Sequence, residues 1–190
     1  MTKNILLVGV GGQGTILSSK ILSSGLLEAG YDVKMAEIHG MSQRGGSVTT
    51  QIRYGDKVYS PVIEKGTADI IVSFERSEAL RWLEYLKEDG ILIINEHQIQ
   101  PFTVTLDLSE YPENLIEEYR KKVTNFRSYN AFEKAKELGN SKVMNIMLLG
   151  SIIKYTGLDG IDWKKVINKS VPEKFADLNI KAFNIGYEMV

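Results

Sequence analysis

Apolar residues in the first third of the chain occur either in short continuous runs or at helical spacing. Residues 5–8 are all apolar and stop at Gly9, as in a strand buried on both faces of a parallel sheet. Apolar positions then recur every three or four residues from Ile16 to Leu26, and Gly30 ends this helix. Residues 33–38 form a second strand. The pattern predicts a β-α-β unit at the start of the chain.

The middle of the chain predicts a loop, a hairpin and further strands. Residues 39–46 show no periodicity, whereas residues 47–54 alternate like a strand and residues 57–60 return as its antiparallel partner. Buried strands are expected at residues 69–74 and 91–94, with a helix from Ser77 to Leu86 between them that Asp89-Gly90 closes. A short strand at residues 102–106 and a helix at residues 112–122 follow.

The last third is predicted to be mostly helical. Helices are expected over residues 130–138, from Ser141 to Tyr155, and after a cap at Asp162. Residues 170–173 have the spacing of a capping box, and the final helix places Ile180, Phe183 and Tyr187 on one face. We therefore predict an α/β fold: a single Rossmann-like domain over residues 1–190, with a mostly parallel sheet, helices on both faces, an antiparallel hairpin and a helical C-terminal third.

Composition removes several classes of function. The chain has 190 residues, with 23 basic and 24 acidic side chains and no cysteine. The balanced charge argues against nucleic-acid binding, which usually requires a basic excess. Without cysteine there are no disulfides and no thiolate ligands for iron–sulfur clusters. No apolar stretch approaches the ~20 residues of a membrane span, and the N-terminal run is too short for a signal peptide. We expect a cytoplasmic protein that binds no membrane and no metal.

Gly9-Val10-Gly11-Gly12-Gln13-Gly14 fits the G-x-G-x-x-G pattern between a strand and a helix. Gly9 permits a tight turn, Gly11 allows a ligand to approach the backbone, and Gly14 allows the helix to pack on the strand. The N–H groups of this turn favour an anion. Alternatively, the glycines only shape the joint. Glu37, 23 residues after Gly14, suits the ribose hydroxyl of a dinucleotide or is a solvated strand end.

The loop His39-Gly40-Met41-Ser42-Gln43-Arg44-Gly45-Gly46 follows the end of the second strand, where α/β sheets place their sites. Its glycines suit an anion-binding backbone nest, together with the amide of Gln43. Arg44 has the planar donors that bind carboxylate or phosphate, and His39 exchanges protons near neutral pH. A flexible loop in which Arg44 makes a structural ion pair explains the same residues.

These motifs together carry a family resemblance. The glycine turn, the loop from His39 to Ser47, Tyr59-Ser60-Pro61, Leu149-Gly150 and Gly186 resemble, in order, the beta subunit of indolepyruvate:ferredoxin oxidoreductases. More broadly, they are similar to the gamma subunits of pyruvate and 2-oxoisovalerate:ferredoxin oxidoreductases. The combination of the glycine turn with Gln43-Arg44-Gly45-Gly46 is far more specific than the turn alone.

The resemblance implies an accessory subunit that is inactive alone. A large partner subunit would carry thiamine diphosphate and [4Fe-4S] clusters, decarboxylate an arylpyruvate, transfer the acyl group to coenzyme A and pass electrons to ferredoxin. This chain would hold no cofactor, and its glycine turn and loop 39–46 would lie near the partner's substrate or coenzyme A site. Two alternatives remain: a stand-alone NAD(P)-dependent oxidoreductase using Glu37, and a scaffold whose glycine turn is empty.

Overall fold

The computed structural model describes residues 2–40, 45–106 and 110–190, without the side chains of Phe102 and Thr103. Within these residues six strands form one sheet in the order β2-β3-β1-β4-β5-β6. The strands are β1 (Lys3–Val10), β2 (Asp32–His39), β3 (Ser47–Gly55), β4 (Ala68–Ser73), β5 (Leu86–Asn95) and β6 (Asn125–Tyr129). Strands β1, β4, β5 and β6 pair in parallel, and β3 runs antiparallel to both β1 and β2.

The described helices cover the two faces of this sheet. They are α1 (Thr15–Glu28), α2 (Glu78–Trp82), α3 (Phe102–Thr105), α4 (Leu115–Lys122), α5 (Ala131–Glu137), α6 (Met144–Thr156), α7 (Trp163–Ser170) and α8 (Ala176–Glu188). Among the residues that the structure describes, no helix combines the length and apolar character needed to cross a bilayer. The predicted α/β class, with helices on both faces and a helical C-terminal third, is confirmed.

The core consists of two apolar clusters separated by the sheet. Successive residues of a strand point to opposite faces, so Ile5 and Leu7 of β1 pack towards α1 and α6. Leu6 and Val8 pack towards α2 and α4 on the other face. Strands β4 and β5 alternate in the same way, so the three central strands are buried on both faces. This double burial explains the continuous apolar runs in their sequences.

The predicted hairpin between residues 47–54 and 57–60 does not form. Residues 57–60 form no strand, and β3 pairs instead with β1 and β2 over its whole length. Val58 is buried and its N–H donates to the Asp32 carboxylate, 2.9 Å away, which turns the chain away from β3. The antiparallel strand therefore separates β2 from β1, and the first two predicted strands are not neighbours.

The segment from Ser77 to Gly90 also differs from its prediction. Helix α2 ends at Trp82, a 3-10 turn covers Leu83–Tyr85, and β5 begins at Leu86. Gly90 lies inside β5, where a Cβ would come within 2.9 Å of the Ala68 carbonyl oxygen. This glycine therefore permits a close approach between strands and does not end a helix.

Two smaller predictions fail for local reasons, and one strand was missed. Residues 102–105 are helical, with the N–H groups of Val104 and Thr105 donating to the Pro101 carbonyl. Strand β6 was not predicted. The capping box at residues 170–173 does not form, because Ser170 is the last residue of α7 and the next helical turn begins after Pro172 without a side-chain cap.

Candidate functional site at the glycine turn

The glycine turn lies at the point of the sheet where the chain changes direction. From β1 the chain continues towards β2 and β3, whereas from β4 it continues towards β5 and β6. Since β1 and β4 are adjacent and parallel, their carboxyl ends flank a crevice of the kind that binds ligands in open α/β sheets. Residues 9–14 follow β1 and residues 74–77 follow β4 at this edge of the sheet.

Two glycines of the turn are required by packing. A Cβ on Gly9 would lie 2.8 Å from both the Gln13 Oε1 atom and the Phe74 Cβ atom. Gly14 has φ of 81°, and its Cβ would lie 2.4 Å from Nδ2 of Asn145. These glycines thus allow β1, β4 and α6 to meet around the turn. The close approach at Gly14 is to Asn145 of α6, whereas the sequence pattern predicted a contact between α1 and β1.

Gln13, a predicted binding residue, has its side chain buried within the turn. Its Oε1 atom accepts a hydrogen bond from the Val10 N–H at 2.7 Å, and its Nε2 atom donates to the Phe74 carbonyl at 2.8 Å. The amide thus links the turn after β1 to the turn after β4. This position gives Gln13 a structural role at the crevice.

The turn nevertheless presents unbonded donors. In the described part of the chain, the N–H groups of Gly12, Gly14, Thr15 and Ile16 form no hydrogen bond. Helix α1 has no side-chain cap and no acidic residue in its first turn. The Gly11 N–H, by contrast, donates to the Gly46 carbonyl at 2.9 Å. The start of α1 therefore has the donors and the dipole that favour an anion.

Two cavities of about 640 Å³ each open on either side of these donors. The first is largely apolar and is lined by the turn, the segment after β5, the start of α6 and the connection from α7 to α8, including His97, Ile99, Phe132, Asn145, Val171 and Phe175. The second is lined by the turn, the start of α1 and the ends of β2 and β3, including His39, Gly40 and Val48. The glycine turn is shared by both cavities.

His97 faces the first cavity and stacks on Phe132, with ring centres 3.9 Å apart and planes inclined by 15°. Burial lowers the pKa of His97 below its ordinary value of 6.5. The ring is therefore mainly neutral at pH 7. No group of three or more potential metal ligands occurs among the described residues.

His39 and Glu37 lie near the second cavity. The His39 Nε2 atom is 3.6 Å from Oε2 of Glu37, and both side chains lie on the face of the sheet that α1 covers. Glu37 pairs across the strands with Thr50. The Glu37 Oε1 and Thr50 Oγ1 atoms are both buried without a hydrogen-bond partner in the described structure.

The position of Glu37 differs from that of the acidic residue in dinucleotide-binding folds. There the acid ends the strand adjacent to β1, whereas here β3 lies between β1 and β2. Two strand spacings of about 4.8 Å each separate the strands. The sequence spacing that suggested a ribose contact therefore does not produce that geometry.

Gln43 and Arg44, together with Met41 and Ser42, lie outside the described residues. The described chain resumes at Gly45, which has φ of 79°. The carbonyl of the next residue, Gly46, accepts the hydrogen bond from the Gly11 N–H. Ser47 then donates to the Glu78 carboxylate at 2.5 Å and Gly40 donates to the Ser47 carbonyl at 3.0 Å. Both ends of the loop are thus fixed beside the glycine turn.

Sequence reasoning missed Glu75, which is fully buried where β4 ends. Its carboxylate accepts hydrogen bonds from the Ser77 hydroxyl at 2.6 Å, from the Tyr111 hydroxyl at 2.6 Å and from the Ile99 N–H at 3.2 Å. It also caps the start of α2 through the N–H groups of Ser77 and Glu78. Glu75 therefore holds the segment after β5 that lines the first cavity. The sequence feature that could have indicated this role is a carboxylate, Glu75, followed by Ser77 shortly after a buried strand.

Together the mixed sheet, the crevice between β1 and β4 and the glycine turn define a Rossmann-like α/β protein. Residues 4–189 match the family described as "Pyruvate ferredoxin/flavodoxin oxidoreductase". The chain belongs to this family. The family resemblance inferred from the sequence motifs is therefore confirmed.

Individual relatives agree with this assignment over the whole chain. Indolepyruvate oxidoreductase subunit IorB of Pyrococcus horikoshii is 41% identical, with 96% of this chain and 93% of that protein aligned. The crystal structure of pyruvate oxidoreductase subunit PORC from Thermotoga maritima has a TM-score of 0.74 and 26% identity, covering 99% of this chain and 96% of that one. A 2-oxoglutarate:ferredoxin oxidoreductase from Magnetococcus marinus has a TM-score of 0.72 at 17% identity, covering 99% of this chain and 31% of that one, and shares the fold.

Proposed function

We propose that this chain is the accessory subunit of a cytoplasmic 2-oxoacid:ferredoxin oxidoreductase that acts on indolepyruvate or related arylpyruvates. The observation that carries the proposal is the 41% identity to an indolepyruvate oxidoreductase subunit along 96% of the chain. In this view residues 1–190 act as one gamma-type unit and have no activity alone.

The cofactors of such an enzyme belong to the companion subunit in this proposal. Thiamine diphosphate supplies the carbanion chemistry of decarboxylation, and [4Fe-4S] clusters carry the electrons to ferredoxin. This chain has no cysteine for a cluster, and its described residues contain no metal-ligand group. Its contribution is therefore binding and positioning.

The glycine turn supplies that contribution. The N–H groups of Gly12 and Gly14, which have no partner among the described residues, and the start of α1 would hold an anionic group of the substrate or of coenzyme A at the interface with the companion subunit. Arg44 would steady a carboxylate or phosphate from the neighbouring loop. His39, at the second cavity, would hold or move a proton there.

Two glycines permit a matched test. Gly12 and Gly30 both have strongly positive φ, 100° and 89°, and a Cβ on either would meet no atom within 4 Å. Alanine at either position strains the backbone by about 1 kcal/mol, but only at Gly12 does the methyl group enter the anion site. Gly30 lies at the far end of α1.

The assembled complex should respond differently to these two variants. Gly12→Ala should raise KM for coenzyme A or the arylpyruvate at least tenfold, whereas Gly30→Ala should leave both KM values unchanged. Arg44→Ala should raise the same KM as Gly12→Ala. Unchanged KM values in all three variants would favour the alternative in which the glycine turn is structural and binds no ligand. A rise in the melting temperature of the isolated chain with NAD would favour the stand-alone oxidoreductase.

A further inference from the structure

We infer that residues 58–63, named here the Tyr59 loop, form a rigid docking surface that binds the companion subunit. This inference rests on the accessory role proposed above, but it concerns a different part of the molecule. The loop follows β3, which ends beside the start of β1, where Tyr54 pairs with Lys3. It therefore leaves β3 at the end of the sheet opposite to the glycine turn.

The Tyr59 loop presents two large apolar side chains to solvent. Tyr59 is 89% exposed and Val62 is 56% exposed, with only Ser60 and Pro61 between them. Single exposed apolar residues are common on protein surfaces, so exposure alone does not identify an interface. What distinguishes this pair is the way in which the loop is held.

Two buried residues fix the ends of the loop. Val58 and Ile63 are 3% and 2% exposed. The Ile63 N–H donates to Oε1 of Gln51 at 2.6 Å, and the Val58 N–H donates to the Asp32 carboxylate at 2.9 Å. Both ends are thus anchored to strands β2 and β3 by packing and by a side-chain hydrogen bond.

Arg53 fixes the centre of the loop. Its guanidinium group donates to the carbonyl oxygens of Ser60 and Val62, each at 3.0 Å. Arg53 is itself held by a hydrogen bond from Nε to the Asn4 Oδ1 atom at 2.9 Å. The backbone that carries the exposed ring and the exposed valine is therefore held in place before any partner binds. Such preorganisation lowers the entropy lost on binding, and exposed tyrosines are frequent anchors of interfaces.

The charge beside Tyr59 indicates the chemistry of the partner. The Lys57 amine lies 5.9 Å from the centre of the Tyr59 ring. It interacts electrostatically with the Asp32 carboxylate, whose pKa it helps to lower, but it forms no ion pair with a carboxylate of the described residues. A complementary surface therefore has an apolar pocket for the tyrosine ring and a carboxylate for Lys57. A symmetric contact with a second copy of this chain would instead bring two Lys57 cations into one interface. The charges favour the companion subunit.

The affinity of this chain for its companion subunit tests the inference. Tyr59→Ala should weaken binding at least tenfold in surface plasmon resonance, and Tyr59→Phe, which keeps the ring, should bind within threefold of the wild type. Leu27→Ala is the control, because Leu27 is 57% exposed on α1 and should not affect binding. Lys57→Glu should slow association and reduce its dependence on salt.

The outcomes separate this inference from the accessory role. Equal affinity of wild type and Tyr59→Ala overturns the docking surface and leaves the accessory role standing. A homodimer of the isolated chain that Tyr59→Ala dissociates, with unchanged binding to the companion subunit, assigns the loop to a second copy and also overturns it. A wild-type chain that binds no companion subunit overturns the accessory role itself. The melting temperature of each variant, expected to equal that of the wild type, shows that the chain remains folded.

Discussion

Helices α6 and α8 pack backbone against backbone, and one methyl group at Gly186 tests this contact. A Cβ on Gly186 would lie 1.8 Å from the Met147 carbonyl oxygen and 2.4 Å from its carbonyl carbon. Both atoms belong to the backbone of α6, so no side-chain rotation relieves the overlap. The Ser151 hydroxyl also donates to the Gly186 carbonyl at 2.8 Å across the same contact.

The magnitude follows from the geometry. Gly186→Ala requires α8 to move by about 1.6 Å to reach an ordinary contact distance of 3.4 Å. Overpacking of a close-packed core costs about 1–3 kcal/mol, and loss of the Ser151 hydrogen bond costs about 1 kcal/mol. The higher helix propensity of alanine offsets about 1 kcal/mol. We therefore expect a net loss of about 2 kcal/mol, or about 4–8 °C in melting temperature for a chain of this length.

Circular dichroism during thermal and urea unfolding measures this effect. The control is Gly160→Ala, since a Cβ at Gly160 meets no atom within 4 Å and its φ is not positive. The control should unfold within about 0.5 kcal/mol of the wild type. If Gly186→Ala also unfolds within that margin, α6 and α8 do not pack as described, and the position of Asn145 on α6 against the Gly14 carbonyl is equally in doubt.

Gln13 and His97 give two further predictions. Gln13→Ala leaves the buried Val10 N–H without its partner, so the free energy of unfolding in urea should fall by about 1–3 kcal/mol; an unchanged value would contradict the structural role of this amide. For His97, burial lowers the folded-state pKa, so the unfolded chain takes up the proton at the higher pH. Stability should therefore fall as the pH drops from about 7 through the unfolded-state value near 6.5, and level off below the folded-state pKa. His97→Phe keeps a ring against Phe132 and should reduce this decline in melting temperature, and identical pH profiles would refute the assignment.

Central strands were predictable from sequence, whereas the edge strand β6 was not. Strands β1, β4 and β5 are buried on both faces and need continuous apolar runs. Strand β6 lies at the edge of the sheet, and its sequence Asn125-Phe126-Arg127-Ser128-Tyr129 places only two of five residues in the core. The local sequence therefore gives little indication of a strand here, and β6 forms because it pairs with β5.

The position of the glycine turn was predictable from sequence, but the contacts of its residues were not. The glycine pattern after β1 correctly indicated the turn and the start of α1. Sequence spacing did not reveal that the Gln13 side chain donates a hydrogen bond to the Phe74 carbonyl. Nor did it reveal that the Glu75 carboxylate accepts one from the Ile99 N–H. Those roles depend on β4 lying beside β1, and nothing local in the sequence specifies which strands become neighbours.

The sequence by itself determined the α/β class, the position of the glycine turn and the family, because strand burial, helical periodicity and motif order are properties of the chain alone. Only the tertiary structure decided that β3 inserts between β1 and β2 and thereby separates Glu37 from the turn. It also decided which donors of the glycine turn lack a partner among the described residues, and that Arg53 holds the backbone beside Tyr59. The physical reason is that strand order and hydrogen-bond partners arise from contacts between distant segments, and their energies are settled only when the whole core packs.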